Sequence, residues 1–263
     1  MTGERGGYQI RPFSAVRQIT VEGGRMAAQR HPIHGLIEVD VTHPRQLLQN
    51  HKTRTGETFS FTAFILFCLA RAIEDHKPVQ AYRDWRGRLV IFDDVDVNLM
   101  VEVEVEGRKV PAPFFVRAAN RKSAREIHDA IRAFQSSYRR SGELKGLRLF
   151  AALPGLVRRA FYTVVFRNPF WLKSTFGTVG LTAVGMFGRG GGWAIPFMMH
   201  SLDVALGGIA RKPGLGSDDR IEIRECLNVT VSFDHDVIDG APAARFTQRF
   251  RELVESGCGL DNL

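Results

Sequence analysis

The segment from Ser60 to about His76, SFTAFILFCLARAIEDH, is the strongest constraint on the fold of this chain. It has the length of a helix and is apolar on most of its sides. A helix without a broad polar face has to be buried, and a sheet is the usual surface that covers it. A chain of 263 residues with 44% apolar residues can build such a core. This composition excludes the disordered and fibrous classes.

Strand patterns are available to form that sheet. Residues 37–41 (IEVDV) and 101–106 (VEVEVE) alternate apolar and polar side chains, which predicts strands with one buried face. The glutamates of the second segment then belong to a solvated face. Two strands are expected within residues 88–106, and further strands at about 176–184, 203–210 and 222–233.

Helix signals alternate with these strands. Ser123 and Glu126 form a capping box, which predicts a helix from about Ser123 to Arg140. A last helix is expected after Gly240, with Pro242 in its first turn. Its apolar face would carry Phe246, Phe250 and Leu253. Helices mixed with strands and hairpins predict an α+β, or mixed α/β, fold.

The length predicts one domain over residues 1–263, since single cores stop growing near ~250–300 residues. Residues 1–10 are expected to form an N-terminal arm, and residues 141–173 an apolar and basic insertion interrupted by Pro154 and Pro169. We interpret the insertion as helices packed on the domain. A subunit contact and a membrane-surface helix are the alternatives, and membrane contact is not expected.

The cysteines and the N-terminus indicate the compartment. Cys68, Cys226 and Cys258 are far apart and odd in number, so neither a disulfide framework nor a cysteine zinc site is predicted. The N-terminus has no apolar signal-peptide core, and no apolar run reaches the ~20 residues of a spanning helix. We therefore expect a cytoplasmic protein.

The most informative string is VTVSFDHDVIDG, residues 229–240, in which a predicted strand ends at a histidine. A histidine at a strand end can face substrate while the scaffold holds its ring. Imidazole, with a reference pKa near ~6.5, can take a proton from a thiol or an alcohol and return it. His235 is thus a candidate base. Asp239 could orient it or lock the loop, and Gly240 allows an unusual backbone conformation.

The block from Ser232 to Ser256, SFDHDVIDGAPAARFTQRFRELVES, resembles the C-terminal signature of the dihydrolipoamide acyltransferases, the cores of the 2-oxo acid dehydrogenase complexes. Residues 177–188, GTVGLTAVGMFG, are similar to a second block of that family and place Thr182 at its hydroxyl-bearing serine. The similarity extends loosely from about Arg11 to Glu255. It implies a two-layer sandwich like that of chloramphenicol acetyltransferase.

This resemblance implies acyl transfer between coenzyme A and a thiol of the dihydrolipoyl type. His235 would be the general base, and the Thr182 hydroxyl would donate a hydrogen bond to the oxyanion. The alternative for Thr182 is a β-branched residue that packs its methyl group in a strand. Coenzyme A or acyl-CoA would be a substrate, and the +8 charge suits its phosphates. No metal is expected.

The resemblance also implies partners. Arg17 matches a family arginine that pairs with the motif aspartate, so an Arg17–Asp239 pair would brace the loop of His235; a solvated Arg17 is the alternative. Family members are trimers with the active site between subunits, which implies a homotrimer or a larger multiple of three here. A lipoyl carrier and dehydrogenase subunits would be separate chains, because only 16 residues precede Arg17 and we expect no lipoyl or subunit-binding domain.

Two departures from the family keep other functions open. Asp236 stands where the family usually has arginine, and Ala183 where it has asparagine or serine. An O-acetyltransferase of the chloramphenicol type, or a non-catalytic scaffold that keeps the fold, are therefore alternatives to the thiol acyltransferase.

Other motifs give weaker indications of function. Residues 189–193 (RGGGW) are interpreted as a flexible hairpin tip in preference to a phosphate loop. His31 and His34 have no third ligand at a suitable spacing, so a metal site is not expected there. The basic pairs at 139–140 and 158–159 lack interleaved aromatic residues, so no nucleic-acid partner is expected.

Overall fold

The apolar helix predicted from Ser60 lies against a six-stranded sheet in the computed structural model, which describes residues 4–5, 7–105, 108–138, 149–184, 190–216 and 218–261. Its helices are α1 (Ala15–Ala27), α2 (Thr42–Thr55), α3 (Phe61–Asp75), α4 (Ala124–Tyr138), α5 (Gly155–Arg167), α6 (Pro169–Phe176) and α7 (Gly240–Glu255). Short 3₁₀ helices span Lys77–Gln80 and Ala119–Arg121.

The strands are β1 (Glu4–Arg5), β2 (Tyr8–Gln9), β3 (Pro32–Asp40), β4 (Tyr82–Arg83), β5 (Leu89–Val90), β6 (Val97–Val105), β7 (Arg108–Val116), β8 (Val179–Ala183), β9 (Leu202–Leu215) and β10 (Ile221–Asp234). The main sheet has the order β3-β10-β9-β8-β6-β7. It is mixed, because β8 runs parallel to both β6 and β9 while the other neighbours are antiparallel. The predicted α+β class is confirmed.

Alternation along the strands divides the sheet into two unlike faces. One face is apolar and packs on α3, α4 and α7, as in a two-layer sandwich. It carries the buried side chains of Val97, Leu99, Leu181, Val204, Val229, Val231 and Phe233. The opposite face, which we call the polar face, carries Asn98, Thr182, Asp203, Asn228, Thr230 and Ser232 at the intervening positions.

Two predicted helices begin with the expected capping hydrogen bonds. The Ser60 side chain accepts a hydrogen bond from the amide of Ala63 at 3.2 Å and begins α3. In the predicted capping box, the Glu126 amide donates to the Ser123 hydroxyl at 3.2 Å, and the Ser123 amide donates to the Glu126 carboxylate at 2.7 Å. The described helix ends at Tyr138, and Arg140 lies outside the described residues.

The strand predictions need correction at several ends. The strand expected from residue 176 begins only at Val179, because Phe176 still belongs to α6. Gly177 makes the break: its φ is +83°, and a Cβ there would come within 2.6 Å of the Asp96 carbonyl oxygen. β3, β9 and β10 are each longer than predicted. β7 was not predicted; it contains Pro111 and Pro113, which a sheet tolerates at its edge.

The insertion folds as helices where the structure describes it. α5 and α6 follow one another, and the Arg159 guanidinium lies 3.6 Å from the buried Glu22 carboxylate of α1. Leu156 and Phe170 stay exposed on these helices. Residues 141–148 lie outside the described part of the chain. Among the residues that the structure describes, no helix is long and apolar enough to cross a membrane.

An ion cluster around Glu57 ties α2 to α4. The Arg125 guanidinium donates to one Glu57 oxygen at 2.6 Å, and His51 Nε2 lies 3.0 Å from the other. The hydrogen bond from Arg125 is the largest reason why the pKa of Glu57 falls from 4.5 to about 2. A lowered pKa means that the folded state prefers the ionised carboxylate, so its stabilisation is present above pH 4.5 and is lost as the pH falls toward 2.

We therefore expect Glu57→Gln to lower the melting temperature at pH 7, and the difference from wild type to shrink steadily as the pH falls from about 4.5 toward 2. Thermal unfolding of both proteins at several pH values measures this. Glu222→Gln removes an exposed carboxylate elsewhere and is the control. A difference that stays constant down to pH 2.5 would show that the carboxylate charge is not responsible.

Candidate active site

His235 follows directly after the last residue of β10, as the sequence predicted. Its backbone amide donates to the carbonyl of His31 at 2.9 Å, which holds the chain beside β3. The preceding residue, Asp234, is buried, whereas the side chain of His235 is 49% exposed. The strand end therefore fixes the backbone while the ring faces outward.

The His235 ring is available to a substrate. Among the described residues, no group hydrogen-bonds to either ring nitrogen, and the closest carboxylate oxygen, Asp239 Oδ1, is 3.9 Å from Nδ1. This distance exceeds a hydrogen bond. Asp239 is the residue before α7, which begins at Gly240. Asp239 thus stands beside His235 and does not hydrogen-bond to its ring in this geometry.

Arg30 braces the end of β10. Arg30 Nη1 lies 2.5 Å from Asp234 Oδ2, and its Nη2 donates to the carbonyl of Met199 at 3.0 Å. Both members of the pair are largely buried. Arg17 lies exposed on α1, and within the described chain it forms no ion pair with Asp239. The sequence carries no signal for the Arg30–Asp234 pair, because its members are 204 residues apart.

Asp236, the residue after His235, has a partner of its own. Its Oδ1 lies 3.0 Å from His31 Nδ1. His34, the other histidine of that segment, lies 2.8 Å from the Ser232 hydroxyl. The two imidazoles therefore have separate neighbours. No group of three or more potential metal ligands occurs among the residues that the structure describes.

Thr182 lies on β8, on the polar face, and lines a cavity of about 780 Å³. Gly180 lies two residues before it on the same strand and is also part of the cavity wall. A Cβ at Gly180 would overlap the carboxylate of Asp203, so only glycine fits there. The hydroxyl of Thr182 is placed where a ligand in the cavity can reach it.

The strand register separates Thr182 from His235 within one chain. Thr182 pairs with Ala205 of β9, and Ala205 pairs with Thr230 of β10. His235 is five residues beyond Thr230. At ~3.3 Å per residue and ~4.8 Å per strand spacing, the two Cα atoms are roughly 19 Å apart. His235 also does not line the cavity of Thr182. One thioester carbonyl cannot contact both side chains of a single chain.

A second histidine, His200, lines the same cavity and was not singled out in the sequence. Its Nδ1 lies 2.8 Å from Asp203 Oδ1, and its Nε2 lies 3.0 Å from the carbonyl oxygen of Phe176. A carbonyl can only accept, so Nε2 carries a proton, and Nδ1 is occupied by the carboxylate. His200 therefore has no free lone pair and is not a base in this geometry.

The glycine-rich segment described from Gly190 is packed against the sheet and is not the free hairpin tip that was predicted. The Gly192 carbonyl accepts from the Gly208 amide at 3.0 Å, and the Gly192 amide donates to Asn228 Oδ1 at 3.0 Å. A Cβ at Gly207 would lie only 1.9 Å from the Gly192 carbonyl oxygen. Arg189 and residues 185–188 lie outside the described residues.

A protein-family comparison matches the part of the chain that carries this site. Residues 174–259 match the model of the 2-oxoacid dehydrogenases acyltransferase (catalytic domain) family. The chain is 39% identical over 84 residues to the dihydrolipoyllysine-residue acetyltransferase component of the pyruvate dehydrogenase complex of Zymomonas mobilis. These 84 residues are 32% of this chain and 19% of that protein. The similarity to this acyltransferase family is thus carried by the segment that contains Thr182 and His235.

Similarity to the acyltransferase family extends beyond the matched segment. The corresponding component from Rickettsia bellii is 24% identical over 255 residues, or 95% of this chain and 53% of that protein. Curated relatives matched along most of this chain are thus about twice its length or more. The region that is similar to this chain therefore accounts for only part of such a protein.

Solved structures show the same fold. A probable dihydrolipoamide acetyltransferase from Listeria monocytogenes superposes with a TM-score of 0.71 at 18% identity, covering 95% of both chains. A chloramphenicol acetyltransferase superposes with a TM-score of 0.53 at 14% identity, covering 97% of this chain and all of the other. The predicted sandwich fold is confirmed.

Proposed function

We propose that the chain transfers an acyl group between coenzyme A and a thiol acceptor of the dihydrolipoyl type. The observation that carries the proposal is the exposed imidazole of His235, fixed at the end of β10 with no hydrogen bond to its ring among the described residues. An imidazole without a partner at its ring can accept a proton from a bound substrate. The family match covers the same segment.

The side chains support a direct transfer. His235 takes the proton of the acceptor thiol, and the thiolate sulfur attacks the carbonyl carbon of the acyl-CoA thioester. The Thr182 hydroxyl donates a hydrogen bond to the oxyanion that forms. The bond between that carbon and the coenzyme A sulfur then breaks, and the imidazolium returns its proton to the coenzyme A thiolate. The acyl group ends on the acceptor, and His235 is neutral again.

The site is proposed to form between copies of the chain. The register distance of roughly 19 Å between Thr182 and His235 supports this arrangement, because each chain then supplies one half of a complete site. We propose a homotrimer or a multiple of three, in which His235 of one subunit faces Thr182 of the next. Asp239, Gly240 and Arg17 would support the loop of His235, with Arg30 as an additional brace.

Coenzyme A is proposed as a substrate, with its phosphates drawn by the +8 net charge. The acceptor thiol is proposed to belong to a lipoyl group on another polypeptide, which works together with dehydrogenase subunits. Relatives named as components of pyruvate dehydrogenase complexes support this assignment.

A mixed assembly tests the shared site. His235→Ala and Thr182→Ala subunits are each expected to be nearly inactive alone. Coexpressed in equal amounts and mixed at random, they should recover about a quarter of wild-type activity, because one site in four then receives both intact residues. Coenzyme A release is followed by liquid chromatography, since a colorimetric thiol assay would also detect the acceptor.

Two controls make this result specific. Light scattering should find a multiple of three chains in every preparation, and a different tag on each variant verifies that mixed assemblies have formed in the unselected mixture. An inactive mixture of correctly assembled trimers would contradict the shared site. Transfer to alcohols in place of dihydrolipoamide would instead indicate an O-acetyltransferase. If the wild type transfers the acyl group to neither acceptor, the non-catalytic scaffold is the remaining alternative.

A further inference from the structure

The cavity beside Thr182 is large compared with the smallest acyl groups. Its volume of about 780 Å³ falls within the ~300–1,000 Å³ of pockets that enclose drug-sized ligands. An acetyl group has only three non-hydrogen atoms and would leave most of this space unfilled. The wall draws on α1, β6, β7, β8, β9 and the helical insertion.

The insertion gives the cavity an aromatic wall. The rings of Phe150 and Phe161 are 5.1 Å apart, and those of Tyr162 and Phe176 are stacked at 5.8 Å. All four residues line the cavity, and Phe115 and Phe197 add further rings. Contacts of this kind favour apolar and aromatic groups.

Charge is nearly absent from the wall. Of the lining residues that the structure describes, only His200 and Asp203 are ionisable near neutral pH, and they are bonded to each other. The remaining His200 nitrogen is bonded to a backbone carbonyl. The lining that the structure describes thus offers no unpaired cation to a carboxylate, and burying an unpaired charge is unfavourable.

Thr182 determines which part of a substrate can enter. If its hydroxyl donates to the thioester oxyanion, that oxygen lies within about 3 Å of the Thr182 oxygen, at the cavity wall. In the oxyanion intermediate, the carbon bears the acyl chain and two sulfurs, one from coenzyme A and one from the acceptor. The first sulfur continues into the polar body of coenzyme A, which an apolar cavity does not accommodate, and the second continues into an acceptor arm that is tethered to another polypeptide. The acyl chain is the substituent with a free end, so it is the one that the cavity can enclose.

We propose that this cavity binds the chain of a bulky apolar acyl group, such as a medium-length, branched or aromatic one, and that acetyl and dicarboxylic acyl groups are poor substrates. The inference rests on the proposed function, whose acyl group it specifies. Each buried methylene is expected to raise kcat/KM about fourfold. Between acetyl-CoA and octanoyl-CoA, incomplete burial leaves a gain on the order of 10²–10³.

The test compares acetyl-, octanoyl-, phenylacetyl- and succinyl-CoA with dihydrolipoamide in the assembled protein, with coenzyme A release measured by liquid chromatography. Thr20→Phe adds bulk at an exposed lining position of α1, and Val21→Phe adds the same bulk at its exposed neighbour, which does not line the cavity. Thr20→Phe should lower the octanoyl-to-acetyl ratio of kcat/KM at least tenfold, while Val21→Phe leaves it unchanged. Met100→Trp, from another wall, should act like Thr20→Phe.

Direct binding separates this inference from the proposed function. Calorimetry should show octanoyl-CoA binding more tightly than coenzyme A to the wild type and to Val21→Phe, with the preference reduced in Thr20→Phe. Equal affinities for octanoyl-CoA and coenzyme A would overturn the acyl assignment alone. The same holds if acetyl-CoA is the best substrate and Thr20→Phe does not change the octanoyl-to-acetyl ratio of kcat/KM. Selective binding without any transfer would overturn the proposed activity and leave the cavity assignment intact.

Discussion

Replacing His235 by alanine is expected to lower kcat/KM for acyl transfer to dihydrolipoamide by ~10²–10⁴, the range for loss of a general base. The side chain is half exposed and makes no hydrogen bond to a described residue through its ring. Its removal should therefore leave the fold and the assembly intact. Coenzyme A release by wild type and variant, measured by liquid chromatography, checks the effect.

Two other histidines make this prediction selective. His43→Ala removes an exposed histidine from α2 and should keep wild-type activity. His200→Ala should lower the melting temperature, because the buried Asp203 Oδ1 loses the imidazole as its partner. Wild-type rates in His235→Ala would contradict the assignment of the base. A large loss in His43→Ala would point to a general effect on the protein.

Replacing Thr182 is expected to have the second largest effect. Removal of one oxyanion donor lowers kcat by ~10²–10³ in comparable enzymes. Thr182→Val keeps the shape of the side chain and removes only the hydroxyl, so it should lose activity to this extent. Thr182→Ser keeps the hydroxyl and removes a methyl group, so it should retain most of the activity. Steady-state kinetics of wild type, Thr182→Val and Thr182→Ser measures the rank order of their activities.

The same variants distinguish catalysis from packing. If Thr182 only packs its methyl group in β8, Thr182→Val would be nearly as active as wild type, and Thr182→Ser would be the more damaged protein. Melting temperatures accompany the rates, since a strand residue that loses packing destabilises the fold as well. Equal losses in both variants, together with lower melting temperatures, would remove the hydroxyl from the mechanism.

Local patterns predicted the elements that short stretches of sequence determine. The capping box of Ser123 and Glu126, the apolar helix after Ser60 and the helix from Gly240 depend on neighbours within four residues, and all three are present. The position of His235 at a strand end was predictable for the same reason. The match of residues 174–259 to the acyltransferase family agrees with the two motifs in that segment.

Contacts between distant residues were not predictable. The pair of Arg30 and Asp234 joins residues that have no spacing rule, and the same holds for His31 and Asp236. β7 was missed because Pro111 and Pro113 count against a strand unless it is known to lie at an edge. The boundary at Phe176 depends on the close contact of Gly177 with Asp96.

The loop that follows Gly190 is fastened at both ends before any ligand arrives. Gly192 is bonded to β9 and β10, and the amides of Met199 and His200 both donate to Asp203 Oδ2, at 2.8 and 3.1 Å. Between these anchors the loop carries Pro196 and Phe197 of the cavity wall. Its conformational entropy is therefore lost during folding and not on binding. A ligand that enters the cavity therefore does not have to order this loop, and its affinity depends on how well its shape fits the wall.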